Sequence, residues 1–120
     1  MCDCLFERVV DSDAKHIQLH IPRRNGKTTL LLRLGVQFLA QGYVVWYRVP
    51  SKRSETQFYD AGLRPVPTWD IVQAIGTKGI LLVDDTDCVS THEDRGYVLK
   101  WGGRVIETLD DFPETVHMTL

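Results

Sequence analysis

The sequence predicts an α/β fold in which strands alternate with helices around a mainly parallel sheet. HIQLHI at 16–21 alternates apolar and polar residues, YVVWYRV at 43–49 is β-branched and aromatic, and GILLVDD at 79–85 is an apolar run ending in two carboxylates. Helical patterns separate these strands, as in βαβ units. Such a sheet carries helices on both faces, which predicts that ligands bind at the carboxyl ends of the strands.

The helices are predicted from apolar periodicity and from stop signals. The run at 27–41 has leucines and a phenylalanine at helical spacing, and Gly42 follows it as a C-terminal stop. Residues 54–62 are compatible with a short helix. Residues 64–76 predict a Pro-rich turn followed by another helix, and residues 93–111 predict one or two helices.

The two ends of the chain complete the predicted sheet. TVHMTL at 115–120 is predicted to be the last strand. LFERVV at 5–10 is compatible with an antiparallel edge strand or with a helical turn, so residues 1–15 form an N-terminal tail or edge strand. Because 120 residues are enough for one hydrophobic core and too few for two, residues 1–120 are predicted to be a single domain.

Composition and charge exclude several classes of protein. The hydrophobic fraction of 43% and the charged fraction of 25% are those of a globular chain and not of a disordered or fibrous one. The net charge of −2 differs from the basic footprint of a dedicated nucleic-acid binder, so any DNA contact must be local. No apolar run reaches the roughly 20 residues of a membrane span, and the N-terminus lacks a signal-peptide pattern. A cytoplasmic protein without a membrane partner is expected.

The cysteines give little support to a disulfide or zinc site. Cys2, Cys4 and Cys88 are an odd number, which favours reduced thiols. Cys2-x-Cys4 followed by His16-x3-His20 superficially resembles a zinc site with two cysteines and two histidines, but the cysteine spacing is tighter than in zinc fingers. A Cys-x-Cys tail and two histidines on the polar side of a strand are the preferred interpretation.

The segment IPRRNGKTT at 21–29 lies between the first predicted strand and the first predicted helix, where a phosphate-binding loop lies. Unpaired N–H groups and the helix dipole favour a polyphosphate there. Gly26 would let the backbone approach the phosphates, Lys27 would neutralise the β- and γ-phosphates, and the Thr28 hydroxyl would complete the shell of a magnesium ion. The predicted contacts to the nucleotide, taken as ATP, are Arg24, Asn25, Gly26, Lys27, Thr28 and Thr29.

A second motif is predicted at the same edge of the sheet. Only the GKT half of the pattern G-x-x-x-x-G-K-[ST] is present, because Ile21 stands at the first glycine position, and GKT alone has low specificity. The strand at 79–85 delivers Asp84, which would hold Mg²⁺ through water, and Asp85, which would polarise the attacking water. The alternative is a small αβ domain in which GKT is coincidental and the two carboxylates only form a cap or turn.

The stretch IPRRNGKT resembles the deviant Walker A motif of the large terminase subunits, the ATPases that pump DNA into tailed-phage and herpesvirus capsids. That family favours a PR-basic-x-GK[ST] loop without the leading glycine, which Ile21 fits. The resemblance implies that Arg23 acts as an arginine finger in cis and that Arg24 fills a position that is often basic or polar. It is specific at 21–29 and 80–85.

The resemblance also implies a fold. It is a P-loop NTPase with three αβα layers, in which the strand after Walker B inserts between the Walker B strand and the loop strand. The four predicted strands would then have the order 1-4-3-2, with residues 115–120 central, the first strand toward an edge, and an N-terminal edge strand from 5–10 as an addition. The motif that couples hydrolysis to movement in this family would begin at Thr119.

The function implied is Mg²⁺-dependent ATP hydrolysis linked to viral DNA packaging or translocation, with Lys27, Asp85 and Arg23 as catalytic residues. The implied partners are DNA, other packaging or capsid components and further copies of the chain, in the host cytoplasm or nucleus. Asp85 stands where the family has glutamate, and a carboxylate drawn back by about 1 Å could slow hydrolysis on the order of 10²-fold. A nucleotide-gated binding or assembly module with little or no hydrolysis is therefore the alternative.

Overall fold

The structure, a computed structural model, describes residues 2–20, 27–84, 92–109 and 115–119. The helices are Cys2–Val10 (α1), Lys27–Ala40 (α2), Lys52–Asp60 (α3), Trp69–Ile75 (α4) and His92–Lys100 (α5), with a 3-10 turn at Gly76–Lys78. The strands are His16–His20 (β1), Val44–Arg48 (β2), Arg64–Pro65 (β3), Gly79–Val83 (β4), Arg104–Leu109 (β5) and Thr115–Thr119 (β6).

The strands form one sheet in the order β3-β2-β4-β5-β1-β6. Neighbouring strands from β3 to β1 are parallel, and β6 is antiparallel to β1. The prediction of an α/β fold with a mainly parallel sheet is confirmed. Because parallel strands all end at the same edge of a sheet, the ends of β1, β4 and β5 lie close together.

Helices cover both faces of the sheet and give it two apolar cores. Phe38 of α2 and Phe58 of α3 pack with Leu82 on one face. Val98 of α5 packs with Leu81 on the other face. Every residue of β4 is buried, which explains why this strand is an uninterrupted apolar run rather than an alternating one.

The predicted strand order 1-4-3-2 is wrong, because β5 occupies the position next to β4 that was assigned to the last strand. The segment 93–111 was predicted to be helical, but α5 ends at Lys100 and Gly102 turns the chain at a φ of 86° before β5 begins. Val105 and Ile106 are both fully buried in opposite cores. Consecutive buried residues suit a strand covered on both faces, yet their spacing also fits a helix.

The predictions for the edges of the sheet are also wrong. β6 lies antiparallel at one edge, with Thr119 opposite His16, and it covers β1. β1 is therefore an inner strand, although its alternating burial matches the alternation seen in the sequence. Of the two alternatives for residues 5–10, the edge strand is wrong and the helical one is confirmed, because these residues lie in α1, where Val9 packs into the core beside α2. Within the described ranges, no helix combines the length and the apolar character that a bilayer crossing requires.

Two glycines of the α5–β5 region should respond in opposite ways to alanine. A Cβ on Gly103 would lie 2.9 Å from the Gly79 carbonyl oxygen and 3.0 Å from that of Val98, and neither backbone group can move easily. A Cβ on Gly96, inside α5, would meet nothing within 4 Å. We expect Gly103→Ala to lower the free energy of unfolding by about 1–3 kcal/mol. We expect Gly96→Ala to raise it by about 0.5–1 kcal/mol, because alanine is the better helix former.

Thermal unfolding followed by circular dichroism measures both effects. For a domain of this size, 1 kcal/mol corresponds to roughly 4 °C in Tm. Equal melting temperatures for Gly103→Ala and Gly96→Ala would contradict the close packing described at Gly103.

Candidate functional site

The candidate site lies at the carboxyl edge of the sheet, where α2 begins and β4 ends. The order of the chain brings these ends together, because α2 follows β1, and β5 lies between β1 and β4. A helix N-terminus beside the carboxyl ends of parallel strands is where α/β proteins bind anionic ligands.

The Asp84 carboxylate is the centre of this site. Asp84 is only 2% exposed to solvent. The Thr28 hydroxyl, in the first turn of α2, donates to Oδ2 at 2.6 Å, and the Thr108 hydroxyl, near the end of β5, donates to Oδ1 at 3.0 Å. The backbone N–H of Asp84 donates to the Arg48 carbonyl at 2.9 Å, which continues the pairing of β4 with β2. Three elements of the fold therefore meet at one buried acid.

The Asp84 carboxylate has no ion-pair partner among the residues that the structure describes. A buried carboxylate is costly without compensation, and two neutral hydroxyls supply less of it than a cation does. The N-terminal end of α2 adds a partial positive charge. The carboxylate oxygens keep lone pairs that could bind a hard cation, and Mg²⁺ takes oxygen ligands of this kind.

A second buried acid, Glu107, lies on the opposite face of the sheet and is compensated differently. Glu107 is fully buried, yet Arg95 of α5 donates to its Oε1 at 2.7 Å, and His16 contacts its Oε2. Arg48 forms a further ion pair with Asp94 at 2.9 Å. These contacts fasten the first turns of α5 to β5, β1 and β2. Unlike Glu107, Asp84 has no cationic side chain paired with it among the described residues.

Of the residues predicted from sequence, the structure brings Thr28 and Asp84 into direct contact. Lys27 is the first residue of α2, and Thr29 is exposed. The remaining predicted site residues lie outside the described residues and are Arg23, Arg24, Asn25, Gly26 and Asp85.

Thr108 is the member of the site that the sequence analysis missed. Thr119, where the coupling motif of the resembling family was expected to begin, lies opposite His16 at the far end of β1, because β6 is antiparallel to β1. The sequence signal that could have identified β5 is the high content of β-branched residues directly after Gly102-Gly103, which is typical of a strand.

The side-chain oxygens at this site fit a magnesium ion whose other ligands come from water and from a bound phosphate. Within the described ranges, no three His, Cys, Asp or Glu side chains form a metal-binding group. Magnesium at phosphate-binding sites needs no such group, because one or two protein oxygens are completed by water and substrate phosphates.

No protein-family model, curated protein or solved structure matches this chain. Its function is therefore inferred from the geometry and the chemistry of the site.

The hydrogen bond from Thr28 to Asp84 can be tested against a neighbouring threonine. Thr28→Val leaves one oxygen of a buried carboxylate without its donor, so we expect the free energy of unfolding to fall by about 1–3 kcal/mol. Thr29→Val makes the same change at an exposed position of the same helix and should alter stability by less than about 0.5 kcal/mol. Urea unfolding measures both, and equal midpoints would contradict the contact.

Proposed function

We propose that this chain binds ATP with Mg²⁺ and hydrolyses it at the site around Asp84. One observation carries the proposal, namely the 2.6 Å hydrogen bond between Thr28 Oγ1 and Asp84 Oδ2. These residues are 56 positions apart in the sequence. Two separate motifs predict them as magnesium ligands, the GKT segment for Thr28 and the carboxylates after the apolar strand for Asp84. Two coincidental motifs would have no reason to meet, so their contact favours nucleotide binding over a small αβ domain without a ligand.

The electrostatics of the site support the same proposal. Asp84 is buried without a cationic partner among the described residues, whereas Glu107 is buried with Arg95 and His16 beside it. A metal ion at Asp84 would supply the missing positive charge. The ion would also neutralise charge on the β- and γ-phosphates and hold them in line for attack.

The residues of this chain have separable roles in the proposed reaction. Thr28 and Asp84 hold the metal, and the N-terminal amides of α2 together with Lys27 bind the phosphates. Asp85, directly after Asp84, orients the attacking water. Arg23 stabilises the charge that develops in the transition state.

The proposed class is that of the terminase-like ATPases, which rests on the loop sequence IPRRNGKT. DNA packaging or translocation is the corresponding process, with DNA, capsid components and other copies of the chain as partners. The aspartate at position 85 favours a second candidate, a nucleotide-gated binding or assembly module that hydrolyses slowly or not at all.

Nucleotide binding is tested by thermal stabilisation. ATP and Mg²⁺ at 100 times the dissociation constant should stabilise the wild type by about 2.7 kcal/mol. Lys27→Ala should lose this stabilisation because the phosphates lose their counter-charge. Lys52→Ala, which removes an exposed lysine of α3, should keep it. Equal ATP affinity in the wild type and in Lys27→Ala would contradict the proposed site.

The role of the metal is tested separately with Asp84→Asn. This change keeps the size of the side chain and one oxygen that can accept from a threonine hydroxyl, but it removes the charge that attracts a cation. We expect the variant to bind ATP equally with Mg²⁺ and with EDTA, whereas the wild type should bind more tightly with Mg²⁺. A magnesium dependence that survives in Asp84→Asn would place the metal elsewhere.

Catalysis is tested by phosphate release with and without DNA. Arg23→Ala should leave ATP affinity unchanged and reduce turnover on the order of 10³-fold, because a finger arginine acts mainly in the transition state. DNA-stimulated turnover of the wild type would support the translocating class. ATP binding without turnover would instead select the nucleotide-gated module.

A further inference from the structure

The outer edge of β6 is an edge of the sheet that no described strand covers. β6 pairs with β1 on one side, and it is the last strand in the order of the sheet. In an antiparallel pair, every second residue directs its N–H and C=O away from the neighbouring strand. Within the part of the chain that the structure describes, these groups of β6 have no strand to bond. An edge of this kind is a template for pairing with another chain.

The opposite edge of the sheet is built differently. β3 has only two residues, Arg64 and Pro65, and both are exposed. Proline has no N–H to donate, and short or charged edge strands resist pairing with another chain. β6 has five residues, with no proline, lysine, arginine or acid among them, and its register with β1 has no bulge. β6 therefore lacks the features with which β3 blocks its own edge.

The sequence of β6 is complementary to itself in the antiparallel direction. From either end, TVHMT is a threonine, an apolar residue, a histidine, an apolar residue and a threonine. Two copies paired about a twofold axis at His117 would place threonine opposite threonine, and Val116 opposite Met118 of the second copy. Threonine pairs and apolar pairs stabilise neighbouring strands. A slip of one residue would oppose apolar and polar residues, so the pattern specifies this register.

The apolar residues of β6 also match the core of the sheet. Val116 and Met118 are the register partners of Leu19 and Ile17 in β1. Both of these β1 residues are fully buried. In the pairing about His117, the Val116–Met118 pairs between the two copies would therefore continue the apolar row of β1 across the axis.

We propose that the outer edge of β6 binds the same edge of a second copy of this chain, in an antiparallel pair centred on His117. The product is a symmetric dimer with one continuous sheet through both copies. A single pair of strands is a small interface, so the dimer is weak, with a dissociation constant on the order of 10–100 μM. Dimerisation does not depend on ATP binding, and Lys27→Ala should form the dimer as the wild type does.

Sedimentation equilibrium of the wild-type chain is the first test. We expect the average mass to rise from the 13.7 kDa of the monomer toward twice that value as the protein concentration passes the dissociation constant. A mass that stays monomeric at concentrations well above this range would overturn the proposal. A mass that continues to rise beyond the dimer would also overturn it, because a twofold pair of edges is closed.

The register is tested with His117→Lys and His117→Glu. Residue 117 faces its own copy in the proposed pair, so either variant alone places like charges opposite each other and should weaken the dimer several-fold. An equimolar mixture of the two variants places opposite charges there and should bind several-fold more tightly than either variant alone. Residue 117 is the register partner of the half-buried Gln18, so these changes avoid the partners of the buried Ile17 and Leu19.

Matched controls make the same changes of charge elsewhere. Gln73→Lys and Gln73→Glu alter an exposed position of α4 and should dimerise like the wild type, both alone and mixed. Circular dichroism checks that each variant keeps its fold. Variants at 117 that fold and dimerise as tightly as the wild type, or a mixture that binds no more tightly than its components, would overturn the proposal. The mass of the wild type decides independently if a variant at 117 fails to fold.

Discussion

The contact on which the carboxyl edge of this molecule depends is the pair of hydroxyl donors at the buried Asp84 carboxylate. Thr28 approaches it from the start of α2 and Thr108 from the end of β5. A carboxylate in a low-dielectric interior strongly disfavours misplacement of its donors, since each lost hydrogen bond leaves part of the charge uncompensated. The acid therefore fixes where α2 begins relative to β4 and β5. It also remains able to attract a cation, because hydroxyls balance its charge only in part.

The opposite face of the sheet shows how the same fold stabilises a buried acid with partners from its own chain. Glu107 is two residues after Val105 on that face and is as buried as Asp84, but Arg95 forms an ion pair with it and His16 contacts it. An ion pair that is complete within the chain serves structure, because it has little to gain from a further cation. Glu107 thus holds α5 against the sheet, whereas Asp84 has no ion-pair partner among the described residues.

Much of the candidate site could be predicted because its signals are local in sequence. A glycine, a lysine and a threonine between a strand and a helix favour phosphate binding at the start of that helix, whatever the rest of the fold is. An acid that directly follows an apolar strand must lie at the carboxyl end of that strand. These rules identified Thr28 and Asp84, which the structure brings together. They could not identify Thr108, because its role depends on which strand pairs with β4, and pairing is decided between segments far apart in the chain.

The sequence by itself determined the α/β class and the position of α2, β1, β2 and β4, because apolar periodicity and glycine stops act over a few residues. Only the tertiary structure decided the order of the strands. The spacing of Val105, Ile106 and Leu109 suits a helix as well as a strand. This segment is a strand because the space between β1 and β4 lets it bury Val105 on one face of the sheet and Ile106 on the other. With β5 between β4 and β1, the last strand β6 pairs antiparallel with the outer edge of β1, which places Thr119 opposite His16 and away from Asp84.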